Sequence, residues 1–407
     1  MSGFERYGAL LAHRGVVLLV SAQIFARIGE QFVVIGLLWE ALDLTHSSAA
    51  AGIVLGAYTG GTILAGFFAA SLLDRYPRKP LMLADNAIRV VCMGALAWAG
   101  IAHTLNIWVL VILACVTAMA SAITIVGTRV YLPTMVPQEL VVTAFAVDSS
   151  LYQVAGIAGP ALAGLVTGRF GASYSLAVAA LCFLLFVAIA AFIPAGAIDA
   201  GVPPQARELS LTEELGGVRY IVNEPVLRGV TLLVVVCNFF FTLSIVALAF
   251  LSKDAFGAGP IGQGIMLAAL AVGALVSSLA IGSGRWPYPR GASLIASSVL
   301  LGILLAALGL APSLPVACVI LFVIGLVDAA FFVWMSELRQ RIPPPDLLAR
   351  TISASMILNV LSFPFASAAA GFAVSAINAR RTFEVAGVLM ALYSLLFVRN
   401  KALRTAP

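Results

Sequence analysis

Twelve stretches of about twenty predominantly apolar residues, separated by short polar or proline-rich breaks, run from one end of this chain to the other. A helix rises ~1.5 Å per residue, so each stretch matches the ~30 Å hydrocarbon core of a bilayer. Inside lipid no water satisfies main-chain N–H and C=O groups, which leaves helices or closed barrels as spanning structures. The runs are continuous rather than alternating, so they read as helices. The predicted spans cover residues 16–42, 49–72, 81–103, 106–128, 141–167, 173–194, 229–252, 261–282, 291–312, 315–336, 351–376 and 382–398. Charge supports the same conclusion. Only 10% of the 407 residues are charged, against 62% hydrophobic, and the mean hydropathy is +1.07. A soluble globule needs far more charge on its surface. A soluble enzyme is thereby excluded, as is a disordered chain of low apolar content. The expected class is an all-α membrane protein that is not an enzyme.

The one long polar interruption falls at mid-chain, about residues 195–228, with Pro203, Pro204, Arg207, Glu208, Glu213, Glu214 and Arg219. The expected domains are an N-terminal six-helix bundle over 1–194, a cytoplasmic linker over 195–228 and a C-terminal six-helix bundle over 229–407. The halves also resemble each other. Asp74-Arg75-Tyr76-Pro77-Arg78-Lys79-Pro80 follows span two, and Gly284-Arg285-Trp286-Pro287-Tyr288-Pro289-Arg290 follows span eight, 210 residues later. Pro137-Gln138-Glu139-Leu140 after span four is matched by Pro344-Pro345-Asp346-Leu347 after span ten, at an offset of 207. Two pseudo-symmetric bundles of six helices are the signature of a transporter whose halves rock around a midplane site.

Orientation follows from the cations. With both termini cytoplasmic, seventeen Lys and Arg fall in cytoplasmic segments and four (Arg169, Lys253, Arg380, Arg381) in outer loops. Arg27 and Arg89 stay within helices. This is the positive-inside pattern, and it places the chain in the inner membrane. It also accounts for the net charge of +5. The basic residues are scattered singly and form no patch for nucleic acid. The N-terminal run extends to about Leu42 with no small-residue cleavage site, so it reads as a retained first helix. Five cysteines lie in apolar runs with no CxxC, and three histidines sit far apart, so no metal site or disulfide framework is expected.

Charges left inside the spans are the candidate functional groups, because each is costly there. In span one Gln23, Arg27, Glu30 and Gln31 follow helical spacing. Their stripe begins about twelve residues into the span, near the midplane, and should face a central cavity. Glu30 is the first candidate for proton coupling. A permanent Arg27–Glu30 salt bridge that merely stiffens the helix is the competing structural reading, and Arg27 has a second use in pairing with an anionic substrate. Asp328, mid-span with no close counter-charge in sequence, is the second coupling candidate. Asp148 in span five serves equally as gate or cavity residue. Asp85 and Arg89, four apart on span three, are expected to neutralise each other. Span seven offers Asn238 beside Phe239, Phe240 and Phe241, an aromatic wall suited to an amphiphilic substrate. Tyr152, Gln153 and Asn359 complete the cavity candidates. Gly52, Gly56 and Gly60 form a small-residue packing stripe. Glu40 and Asp43 are expected to be solvated at the outer mouth.

The stretch Asp74-Arg75-Tyr76-Pro77-Arg78-Lys79, with Ala70 four positions before the Asp, resembles the loop motif of the major facilitator superfamily; Pro77 stands where the family has a glycine. Gly159-Pro160-Ala161-Leu162-Ala163-Gly164 resembles the family's antiporter motif, with Ala163 in place of a glycine. Ile28-Gly29-Glu30 and Ala84-Asp85-Asn86-Ala87-Ile88-Arg89 are similar to the branch holding macrolide and enterobactin exporters. The resemblance implies that Asp74 latches the cytoplasmic side onto span eleven, a helix N-terminus that favours an anion. Arg75, Arg78 and Lys79 then pair with Asp85, Glu139 or lipid headgroups, and Asp85 and Arg89 extend this gate. It further implies that Gly159, Pro160 and Gly164 seal the outer side of an antiporter, and that the protein is a monomer. The expected function is export of a small amphiphilic organic compound by proton antiport through alternating access, with the proton gradient as energy source and no cofactor. The alternatives are an uptake symporter for a nutrient or siderophore, and a transporter-like receptor with no turnover.

Overall fold

The computed structural model describes residues 8–10, 12–194, 211–282 and 289–406. Among the described residues there are no strands, and twelve helices are long and apolar enough to cross a membrane. Spans one to six are α1 (Arg14–Thr45), α2 (Ser48–Arg75), α3 (Arg78–Ile101), α4 (Ile107–Thr134), α5 (Val141–Phe170) and α6 (Ala172–Ala191). A short helix, α7 (Leu211–Asn223), precedes span seven, α8 (Pro225–Phe250). Spans eight to ten are α9 (Gly259–Gly282), α10 (Arg290–Gly309) and α11 (Leu314–Arg341). Span eleven is divided into α12 (Pro345–Val360) and α13 (Ser362–Ile377), and span twelve is α14 (Ala379–Leu396).

The chain forms two compact units, one of Met1–His46 with Ala57–Glu208 and one of Ser47–Gly56 with Leu209–Pro407. In the first, α1 packs on α5 and α6, and α3 packs on α4 and α6. In the second, α8 packs on α13 and α14, and α10 packs on α11 and α14. These are the same partners in equivalent spans, which is the pseudo-symmetry expected from the repeated loops. The mid-chain linker expectation falls partly on residues 195–210, which lie outside the described residues. Beyond them α7 packs on α12, with Ile221, Leu227 and Ala354 buried together.

The division of span eleven departs from the single helix expected over 351–376. Pro364 has no N–H to give the carbonyl at 360, and its ring crowds that carbonyl, so the helix breaks at Leu361. Ser362 Oγ donates to Asn359 O at 2.7 Å beside the break. Pro160, by contrast, is buried within the continuous α5. The small-residue stripe of α2 packs as expected. A Cβ on Gly52 would lie 2.9 Å from the main chain of Gly371 within the second unit, so only glycine permits this approach.

Among the described residues Lys79 pairs with no acid. Its Nζ donates to the carbonyls of Ala191 (2.7 Å) and Ile193 (2.6 Å), closing the C-terminal end of α6. Those carbonyls have no partner within the helix, and a cation there also meets the negative end of the dipole. Arg380 does the same for α10, donating to Gly309 O at 3.1 Å and Ala311 O at 2.7 Å.

Candidate functional site

The polar stripe of α1 is anchored in two directions. Arg27 reaches α5, where its Nη2 meets Asp148 Oδ1 at 2.7 Å and its guanidinium lies over the Tyr152 ring, 5.0 Å from the centroid. Asp148 and Tyr152 are one helical turn apart, which is why one arginine serves both. Tyr152 is exposed. The second anchor starts from α3. Arg89 Nη2 donates to Glu30 Oε1 at 2.8 Å, and its guanidinium stacks on Phe183 of α6, 3.7 Å from the ring centroid. Arg89 is only 1% exposed, whereas the Glu30 side chain is 32% exposed.

The competing reading of a fixed Arg27–Glu30 bridge is thereby set aside, since each has its ion-pair partner on another helix. Nor do Asp85 and Arg89 form a direct ion pair among the described residues; the ion pair of Arg89 is with Glu30. Asp85 Oδ2 accepts from the main-chain N–H and the hydroxyl of Thr124 on α4, at 2.7 and 2.6 Å, and its Oδ1 accepts from Asn86 Nδ2 at 2.5 Å. Three donors occupy the carboxylate directly, leaving the Arg89 ion pair to Glu30. Sequence reasoning missed Thr124, Phe183 and Asn86 as partners; a lone threonine or phenylalanine in an apolar run carries no mark of what faces it.

Glu40 is another correction. Expected in solvent, it is 5% exposed and accepts from Ser173 Oγ at 2.8 Å. Asp43 is exposed. Gln23 is buried, and Gln31 packs against Gly159 of α5: a Cβ there would stand 2.5 Å from Gln31 Cγ. Gly159, Pro160 and Gly164 are all buried on α5. The motif therefore gives α1 close access to α5, beside the Arg27–Asp148 pair. Arg78 lies at the start of α3, and the side chains of Asp74 and Arg75 lie outside the described residues.

In the second unit, no ion pair or hydrogen bond among the described residues reaches the carboxylate of half-buried Asp328 on α11. Asn238 is half-buried on α8, next to the edge-to-face pair Phe239–Phe240 at 5.5 Å. Asn359 is buried near the break in span eleven, with no hydrogen bond to its Oδ1. Glu337 near the end of α11 accepts from Arg290 (2.6 Å) and Arg341 (2.8 Å), with Arg290 over the Trp334 ring at 5.0 Å.

Twelve apolar helices in two repeated bundles, with arginine–carboxylate pairs Arg27–Asp148 and Arg89–Glu30 inside the spans, define a multi-pass membrane transporter fold. The model for the Major Facilitator Superfamily matches residues 19–288, and the chain belongs to that family. It is similar to the multidrug efflux pump Tap of Mycolicibacterium fortuitum, 24% identical over 96% of this chain and 97% of that protein. It is also similar to the enterobactin exporter EntS of Escherichia coli O1:K1 / APEC, 23% identical over 77% of this chain and 72% of that one. Among solved structures, the nucleoside transporter NupG aligns with a TM-score of 0.74 at 14% identity, over 95% of this chain and 99% of that one. A D-xylose–proton symporter aligns with 0.69 at 15%, over 96% and 98%. These likenesses show the fold.

Proposed function

We propose that this transporter exports a small amphiphilic organic compound by proton antiport through alternating access. The observation that carries the reading is the Glu30–Arg89 pair, a carboxylate open on one side and held on the other by a buried guanidinium within the spans. Protonation of Glu30 removes the charge that holds Arg89, and so couples proton binding to the packing of α1 on α3. In the first unit Arg27, Tyr152 and Gln31 offer a cation, an exposed aromatic face and an amide to a substrate with both polar and apolar parts, with Gln23 behind them; in the second unit Asn238 and Asn359 are the substrate-contact candidates. The efflux function named for two relatives favours export. Asp328 is the second coupling candidate, because no cation among the described residues pairs with it. Asp74, Arg75, Arg78 and Lys79 form the cytoplasmic gate in this reading. The protein works as a monomer in the inner membrane with both termini cytoplasmic, and needs no cofactor beyond the proton gradient.

The name of one structural neighbour, a D-xylose–proton symporter, favours a second reading, proton-coupled uptake. Everted vesicles loaded with a pH-sensitive dye separate the two, with ethidium and enterobactin as probes. Antiport releases protons from the acidified lumen on substrate addition, symport carries protons with substrate, and a receptor shows neither. Glu30→Gln is expected to lower proton-driven flux more than tenfold while substrate–substrate exchange persists; Asp328→Asn run in parallel tests the second acid. Normal uphill transport by Glu30→Gln removes Glu30 from the coupling role.

A further inference from the structure

The first unit places two carboxylates, Glu30 and Asp85, around one buried guanidinium, that of Arg89. Glu30 holds it now at 2.8 Å, and Asp85 stands one turn before it on α3, within side-chain reach. The other charged and titratable groups around this set are committed elsewhere or neutral. Arg27, on α1 one turn before Glu30, is held by Asp148 at 2.7 Å. From α2 the buried phenol of Tyr58 faces Arg89 and Glu30. From α6 come the Phe183 ring and, against Gly29, Cys182. From α4 comes Thr124, which donates to Asp85 through both its N–H and its hydroxyl. Two acids thus share one cation in a region of low dielectric, where an uncompensated charge is expensive.

We propose that Glu30, Asp85 and Arg89 together hold one exchangeable proton, with Arg89 on Glu30 while both carboxylates are charged and on Asp85 once Glu30 holds the proton. The proposal rests on the proton-coupled reading above and spreads the coupling from a single acid over a shared set. Without the proton, Arg89 bonds Glu30, and the three donors from Thr124 and Asn86 keep Asp85 satisfied. A proton arriving from the open side binds a Glu30 oxygen, the Glu30–Arg89 ion pair opens, and Arg89 turns to Asp85. The net charge of the set passes from −1 to 0, and loss of the proton reverses each step. The mechanical consequence is specific: the ion pair linking α1 to α3 is exchanged for one within α3, which releases span one. Arg89 is a positioning residue here, and Asp85 the second acid of a coupled titration.

The test needs no substrate. The purified protein in phosphatidylcholine nanodiscs is titrated by infrared difference spectroscopy, which reads the C=O stretch of protonated carboxyl groups. Wild type is expected to gain and lose one such band as the pH is varied. Glu30→Gln and Asp85→Asn should each abolish it, since either leaves one acid per cation, while Arg89→Lys should retain it. Should Asp85→Asn fail to fold, Thr124→Val decides. It removes one donor from the charged form of Asp85 and is expected to tighten proton binding about tenfold. A band lost in Glu30→Gln but unchanged in Asp85→Asn or Thr124→Val overturns the sharing and leaves Glu30 as sole coupling acid. A band unchanged in all three removes the set from coupling altogether, whatever the flux assays report.

Discussion

In the first bundle two arginines cross between helices in the interior of the spans, Arg27 to Asp148 and Arg89 to Glu30. In the second, the ion pairs among the described residues gather at one end, where Glu337 takes Arg290 and Arg341. Deeper in that bundle no cation among the described residues pairs with Asp328. The two share their helix pairings, so the difference is not one of architecture. It shows that a repeated scaffold can carry charge in one copy and leave the equivalent helices of the other mainly apolar. The charged copy pays for its ions with partners on neighbouring helices, and those partners are what a proton can compete for.

The strongest way to break this contrast is to strand the acids of the first bundle. Arg89→Met leaves Glu30 and Asp85 without their shared cation and is expected to lower stability by about 3–5 kcal/mol, read as thermal unfolding in detergent. Adding Glu30→Met should recover a large part of it, as replacing a whole buried pair by apolar groups does. Little effect from Arg89→Met would place Glu30 and Asp85 in a wetter setting than their burial implies.

Next come the contacts on which the two kinds of packing rest. Gly52→Ala meets main chain at 2.9 Å, which cannot yield locally, and should cost about 1–3 kcal/mol. Gly159→Ala meets the Gln31 side chain instead, which can turn aside. Its cost should be smaller, with the effect concentrated on transport because α1 is displaced beside Arg27. Equal losses in the two variants, in unfolding and in flux alike, would remove the distinction. The smallest effect is expected at the end of the second bundle. Arg341 is 61% exposed, so Arg341→Ala should change stability by no more than ~0.5 kcal/mol. A larger loss would show that the peripheral pairs matter as much as the internal ones.

Much of the fold was legible before any coordinates. The spans begin and end within several residues of those expected, because a membrane leaves only one economical use for twenty apolar residues in a row. The eleventh span lies where it was expected, but hydropathy is blind to the break that Pro364 imposes within it. Of the charged residues that the sequence singled out within the spans, Arg27, Glu30, Asp85, Arg89 and Asp148 are all held in specific contacts. It misassigned their partners. Spacing along one helix suggested Arg27 with Glu30 and Asp85 with Arg89, whereas the structure exchanges both for cross-helix partners. Glu40 was misplaced for a similar reason, since Ser173 lies 133 residues away.

What the sequence determined by itself was therefore the medium: a chain with this little charge must sit in lipid, as repeated bundles of helices, with its few internal ions facing protein. The physical reason is local, since each span's length and apolarity are fixed within its own twenty residues. Which acid meets which arginine was decided only by the tertiary structure. An ion pair depends on the rotation and depth at which separate helices pack, and Thr124, Phe183 and Asn86 compete for the same buried groups. That competition leaves Arg89 between two carboxylates, an arrangement that helical spacing alone had read as a closed pair.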